Sequence, residues 1–254
     1  MTALVLRQLS DSSRLLVWLA LAVMVASAWM ALVFLVHGAV PGLYRLICGR
    51  DGAGVAAMPA LLAMWLAMAF AMMLPSAAPM IATYLDIAEA ARAKRMAVVS
   101  PVVLAGGYMA VWIAFAAAAA ALQAALRWSE VDLAAPPVAA VLLIGAGTYQ
   151  FSTFKHACLS KCRRPMPFFM ANWTVRRSGV FRMGVRQGAL CLGCCWALML
   201  LALAAGFMNV AWMAAIGALM VLEKSLPAPK FITQGLGIGL IAAGAAVLVA
   251  HNGG

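Results

Sequence analysis

The chain has 254 residues, of which 67% are hydrophobic and only 10% are charged, and it carries a formal net charge of +11. This much apolar surface exceeds what one soluble core of this size can bury. The apolar residues instead fall in runs near the length of about 20 residues that a bilayer-spanning helix needs. The composition therefore predicts an all-α polytopic transmembrane bundle. The basic charge is an expected by-product of membrane topology, and no nucleic-acid-binding motif accompanies it.

The apolar runs predict about seven spans within a single membrane domain, residues 1–254. In chain order they are Leu15–Val36, Met58–Ile81, Pro101–Leu126, Val138–Phe154, Cys191–Phe207, Val210–Leu222 and Phe231–Ala250. The run from Ala189 to Leu222 is too long for one helix, and we divide it at Gly206–Asn209. If that hairpin is not two full spans, the number becomes six.

The distribution of Lys and Arg predicts the orientation. With the N-terminus in the cytoplasm, the outer segments hold only Arg45, Arg50 and Arg127 of the eighteen basic residues. Residues 155–188 then form a cytoplasmic basic connection, and the C-terminus lies outside. We expect a multi-pass membrane protein, with the lipid bilayer as its first partner.

Five of the six cysteines flank the basic connection. Cys158 and Cys162 are four residues apart and would share a face if the fourth helix continues. Cys191, Cys194 and Cys195 share a face of a helix that starts there. Topology brings both groups to the inner side, and converging thiols can bind a soft or borderline metal. The sequence predicts Cu(I) first and Zn²⁺ second.

Further soft ligands are predicted near the same level. The supporting metal candidates are Met72, Met73, Met80, Met199 and His156, while Pro75, Pro79, Gly193, Asn209 and Glu223 are predicted to be structural. Other interpretations stay open, because free cysteines are often small buried hydrophobes and methionines often fill apolar cores. Cys48 lies in an outer loop and is not expected to join the cluster.

A second, weaker site is predicted on the outer side. It would consist of His37, His251, Met208 and Met213, whose imidazole and thioether groups suit copper. The alternative is that these polar residues at helix ends anchor the helices at the interface.

Three blocks of the sequence resemble a known family. They are Met73–Met80 (MLPSAAPM), Tyr149–Pro165, which contains the first cysteine pair, and Gly184–Met199, which contains the cysteine triplet; Gly206–Met213 and Glu223-Lys224 follow. The chain is similar to a bacterial family of unknown function that is described as predicted metal-binding integral membrane proteins. The resemblance implies metal binding and an inner-membrane location, but it implies no particular reaction.

The leading hypothesis is therefore a membrane protein that binds a soft metal at its cytoplasmic face, with a role in metal transport or homeostasis. No catalytic residue is predicted, and whether a reaction is catalysed stays open. One alternative is a membrane thiol–disulfide oxidoreductase that uses the Cys191-x2-Cys194 spacing. Another is a non-catalytic subunit that docks a membrane or cytoplasmic protein partner through the basic connection.

Overall fold

The computed structural model describes residues 2–36, 57–129, 135–204, 210–226 and 229–252. Within these ranges the chain forms helices and no strand, which confirms the all-helical prediction. The helices are α1 Thr2–Val36, α2 Met58–Ala93, α3 Pro101–Trp128, α4 Pro136–Tyr149, α5 Thr153–Arg163, α6 Pro165–Asn172, α7 Arg177–Ala204, α8 Val210–Ser225 and α9 Pro229–Asn252.

Five of the described helices are long and apolar enough to cross a membrane, or six if the bent pair α4 and α5 is one broken span. The seven-span prediction counted one more, the helix that is now α8. That helix has only 16 residues, about 24 Å at 1.5 Å per residue, whereas a hydrocarbon core is about 30 Å thick.

Helix α2 is the centre of the bundle. It packs against α1, α3 and α8, and its side chains supply much of the core. The helix runs through Pro75 and Pro79 without interruption. Just before Pro75, the carbonyl of Met73 accepts hydrogen bonds from the hydroxyls of Ser76, at 2.9 Å, and Tyr108, at 3.2 Å. Side chains therefore add to the bonding of this part of the backbone.

The predicted fourth span is two helices rather than one. Helix α4 ends at Tyr149, and α5 begins at Thr153 with a bend of 63° between them. Ser152 causes the new start, because its backbone is extended and its hydroxyl accepts the N–H of Lys155 at 3.1 Å. The fourth helix therefore does not continue to Cys158 and Cys162, and both residues lie on the separate helix α5.

The predicted fifth span also differs in its start. Helix α7 begins at Arg177, so the second half of the basic connection is helical and Cys191 lies near the middle of a 28-residue helix. Helices α3 and α7 approach closely at glycines. A Cβ atom on Gly107 would overlap the carbonyl oxygen of Phe181, and one on Gly184 would overlap that of Leu104. This contact fixes α3 directly against the cysteine-bearing helix.

Candidate metal centre

Cys191, Cys194 and Cys195 form a buried thiol cluster on α7. Their spacing of three and four residues places them on one face, and their sulfur atoms all lie within 4.8 Å of one another. Each side chain is about 2% exposed. The thiols of Cys194 and Cys195 donate to the Cys191 carbonyl, at 3.0 and 2.8 Å. The cluster is compatible with metal binding.

Helix α2 adds a fourth sulfur atom to this group. The Sδ of Met73 lies 3.9 Å from the Sγ of Cys195, and Met73 is fully buried. The Ser76 hydroxyl, one turn later, lies 3.8 Å from the same Sδ and 3.9 Å from the Cys191 Sγ. Three thiols and one thioether therefore face each other across the α2–α7 interface, and we call them the sulfur cluster.

Two polar groups from other helices contact the Cys191 sulfur. The Tyr108 hydroxyl on α3 and the Lys224 ammonium on α8 each lie 2.9 Å from it. Lys224 also donates to the Ser76 hydroxyl at 2.9 Å. Both side chains are buried. Because an ammonium donor stabilises a sulfur anion, these contacts favour a negative charge on Cys191.

The positive charge of Lys224 has no carboxylate partner among the described residues. Its neighbour Glu223 instead pairs with Lys155, at 3.0 Å, and both of those side chains are almost fully buried. Gln150 also accepts a hydrogen bond from the Lys155 ammonium. A buried ammonium without an anion is costly. The sulfur cluster is therefore the anionic partner that this part of the structure offers to Lys224.

The register of the α7–α8 hairpin explains why Lys224 reaches Cys191. Cys191 precedes the end of α7 at Ala204 by about 20 Å of helix, and Lys224 follows the start of α8 at Val210 by nearly the same length. Antiparallel neighbours joined by a short connection place such residues at one level. Beyond this level α8 ends, while the basic first half of α7 continues.

The first cysteine pair lies beside the sulfur cluster on α5. Cys162, which is half-buried, interacts with the thiols of Cys191 and Cys194. Cys158 is buried and lies against Gly193, the residue before Cys194. A Cβ atom added to Gly193 would be 2.8 Å from the Cys158 Sγ. The Tyr149 hydroxyl donates to the Gly193 carbonyl. The structure thus brings both cysteine groups together, and Gly193 allows α5 and α7 to approach closely.

Of the other predicted residues, some are buried, some are partly or fully exposed, and some lie outside the described residues. Met72 packs over Gly217 of α8, where an added Cβ would be 3.4 Å from its Cγ. Met80 and Met199 are buried, and His156 is half-buried on α5. At the outer site, Met213 is buried and His251 is exposed, while His37, Met208 and Asn209 lie outside the described residues. That second site stays a prediction.

Sequence analysis missed three contacts of the sulfur cluster: Tyr108, Ser76 and Lys224. Tyr108 stands among alanine and glycine in the predicted third span, where it gives no sign of a role. Lys224 was counted as a topological charge. Lys224 and Cys191 lie about equally far along the sequence from the α7–α8 connection. That spacing is the signal that could have placed Lys224 beside Cys191.

Comparison with known proteins identifies one related family. The family model PpoB2, described as "Copper chaperone", matches residues 62–247. The matched range includes every residue of the sulfur cluster and its contacts from Tyr108, Ser76 and Lys224. No curated protein and no solved structure matches the chain.

Proposed function

Because this chain belongs to the PpoB2 family of copper chaperones, we propose that it binds Cu(I) at the sulfur cluster and passes it on from a bacterial inner membrane. Cys191, Cys194, Cys195 and Met73 are the proposed ligands. Copper is the cargo of this site and not a catalyst: metal–ligand bonds form and break, and the protons that the ligand thiols lose pass to the released donor or to solvent.

The observation that carries the proposal is the meeting of four buried sulfur atoms from two helices. The three thiols lie within 4.8 Å of one another and the thioether lies 3.9 Å from one of them. Zinc in proteins takes thiolate, imidazole and carboxylate ligands, whereas thioether and thiolate together favour Cu(I). The presence of Met73 therefore supports copper ahead of zinc.

The charges around the sulfur cluster support the same metal state. Cu(I) held by two thiolates of the cluster, with the third cysteine bound as a neutral thiol, carries one net negative charge, which would be costly to bury alone. Lys224 supplies one positive charge at 2.9 Å from Cys191. The loaded site is then neutral as a whole. Three buried thiolates without metal would leave two charges uncompensated.

The membrane location is supported by the outer surface of the helices. Large apolar side chains are exposed along α1 and α9, including Leu16, Val23, Phe231 and Val249. Contiguous apolar surface of this kind is costly in water and typical of helices that face lipid. The sulfur cluster then lies near the inner end of α8, as the excess of Lys and Arg on that side requires.

The test is copper retention by the purified full-length protein. Cu(I) is added anaerobically in detergent with a reductant, unbound metal is removed, and copper is measured by mass spectrometry. We expect stoichiometric copper in the wild type and little in the Cys191/Cys194/Cys195→Ser variant. The control variant Cys48→Ser removes the cysteine of the predicted outer loop and should retain copper. Circular dichroism of each variant checks that the helices are intact.

A second arm of the same experiment compares two neighbouring methionines. Met73→Leu keeps the apolar volume but removes the thioether, so Cu(I) affinity should fall while Zn²⁺ affinity does not. Met72→Leu, which changes a side chain over Gly217, should leave both affinities unaltered. Unchanged copper in a folded triple cysteine variant would refute the proposal. Reversible disulfide formation without copper binding would favour the thiol–disulfide alternative instead.

A further inference from the structure

A large pocket lies immediately beside the sulfur cluster. Its volume is about 1070 Å³, and its walls come from α5, the start of α6 and the first half of α7. Cavities that bind small molecules measure about 300–1,000 Å³. The pocket is therefore large enough for a ligand of tripeptide size.

The pocket is strongly cationic. Lys161, Arg163, Arg164 and Arg186 all line it, and no Asp or Glu is among its described lining residues. Arg163 donates to the Lys224 carbonyl at 3.3 Å, and Arg186 donates to the Asn172 side chain at 2.9 Å, both neutral acceptors. In the described part of the chain, none of the four cations is paired with a carboxylate. These charges suit an anionic ligand.

One wall of the pocket leads to the sulfur cluster. Cys158 lines the pocket, and its sulfur lies against Gly193 of α7 within electrostatic range of Cys194. Phe154 and Phe168 supply apolar surface on the same walls. A ligand in this pocket would therefore meet four positive charges, an apolar surface and one thiol that adjoins the sulfur cluster.

We propose that this pocket receives an anionic low-molecular-weight thiol carrying Cu(I), and that Cys158 is the first protein thiol to take the metal. This inference rests on the proposed function. In the step, a new Cu–S bond to Cys158 forms as the bond to the carrier thiolate breaks. The proton of Cys158 moves to the released carrier thiol. Copper stays Cu(I), and it then moves by the same exchange to Cys194 and the sulfur cluster.

The experiment measures the rate of copper loading from two donors, with full-length protein in nanodiscs of neutral phosphatidylcholine. One donor is the Cu(I)–glutathione complex, which is anionic, and the other is the Cu(I)–acetonitrile complex, which is not. The pocket variant is Lys161→Gln/Arg164→Gln. The matched control, Arg177→Gln/Arg182→Gln, removes two exposed charges of α7 that do not line the pocket.

We expect the pocket variant to load about tenfold more slowly from Cu(I)–glutathione, within the range by which charge steers ligands into clefts. Its loading from Cu(I)–acetonitrile and its final copper content should equal those of the wild type, and the control variant should match the wild type with both donors. Cys158→Ser should also slow loading from Cu(I)–glutathione alone. S-Methylglutathione, an anion without a free thiol, should compete with the glutathione complex only.

Equal loading rates in the pocket and control variants would overturn the inference. A second result would also overturn it: native mass spectrometry finds bound phosphatidylglycerol on the wild type but not on the pocket variant, while the copper loading rates are the same. The pocket would then hold a lipid headgroup. Failure of the wild type to take copper from Cu(I)–acetonitrile would instead refute the proposed function. The two failures are thus distinguishable.

Discussion

Lys224 is the residue whose position has the most direct consequence for copper. It is a buried cation beside Cys191, and its carboxylate neighbour is already paired with Lys155. A buried ammonium of this kind destabilises the metal-free protein and stabilises the anionic copper complex. Its effects on stability and on affinity should therefore have opposite signs.

The variant Lys224→Met tests this opposition. Cu(I) affinity, measured by competition with a chromophoric chelator, should fall about 10- to 100-fold, as for the loss of other groups that support metal ligands. The metal-free protein should melt no lower than the wild type, since an apolar side chain replaces a buried charge. Lys224→Arg should recover part of the affinity.

Lys230→Met serves as the control for that experiment, because Lys230 is an exposed cation at the start of α9. It should leave the copper affinity unchanged. A wild-type affinity in Lys224→Met would show that the ammonium does not balance the charge of the copper complex.

At the residue scale, the sequence could identify the thiols but not their polar surroundings. The cysteine spacing alone places Cys191, Cys194 and Cys195 on one face. Tyr108 and Lys224 reach that face from α3 and α8, and such contacts depend on the rotation and depth of separate helices. Periodicity within one helix carries no information about either. The sequence predicts Met72 and Met73 alike as supporting ligands. The structure separates them, because Met73 contacts Cys195 whereas Met72 packs over Gly217.

Among the elements, the α3–α7 pair holds the sulfur cluster in shape. Gly107 on α3 and Gly184 on α7 let the two backbones touch, and Gly188 continues the contact one turn later against the Tyr108 carbonyl. Small residues four apart commonly allow such an approach between membrane helices. Tyr108 is adjacent to Gly107, so the same contact sets its distance to Cys191.

The variant Gly184→Ala should separate these helices. Its Cβ would overlap the Leu104 carbonyl, and overpacking of this kind costs about 1–3 kcal/mol. We expect a lower melting temperature by circular dichroism and weaker copper binding, because Tyr108 would move from Cys191. Gly106→Ala is the matched control. A Cβ there meets nothing within 4 Å, so that variant should be neutral or slightly more stable. Equal melting of the two variants would contradict a structural role for this contact.

The start of α7 shows why one element was misjudged from sequence. The sequence assigns the residues up to 188 to the basic connection, yet Val180, Met183 and Gln187 are buried at helical spacing while Arg182 and Arg186 are exposed. Polar residues outnumber apolar residues in this stretch, so the helical periodicity of the apolar residues is hard to recognise in the sequence. The α4–α5 bend was missed for a different reason. The cap is a single residue, Ser152, which lies inside the predicted span Val138–Phe154.

For the whole molecule, the proposed membrane topology depends on the number of helices that cross the bilayer. Helix α8 is the deciding element, since its 16 residues are short for a span. Its inner end is nevertheless held against the sulfur cluster by Lys224 and against α5 by Glu223. Such burial allows a short helix to span by packing in protein rather than facing lipid. With α8 counted, and with α4–α5 as one broken span, we predict that the chain crosses the membrane seven times.

Reporter fusions test this arrangement. Alkaline phosphatase, which becomes active only outside the cytoplasm, should be active when fused after Gly254 and inactive when fused after Arg95, in the turn between α2 and α3. A green fluorescent protein fusion at each site should give the opposite pattern, because it folds in the cytoplasm. Seven spans put the two fusion points on opposite sides, whereas six put both inside. An inactive phosphatase after Gly254 would therefore mean that α8, or the bent pair, enters the membrane without crossing it. The sulfur cluster would then have to be placed again relative to the cytoplasmic surface.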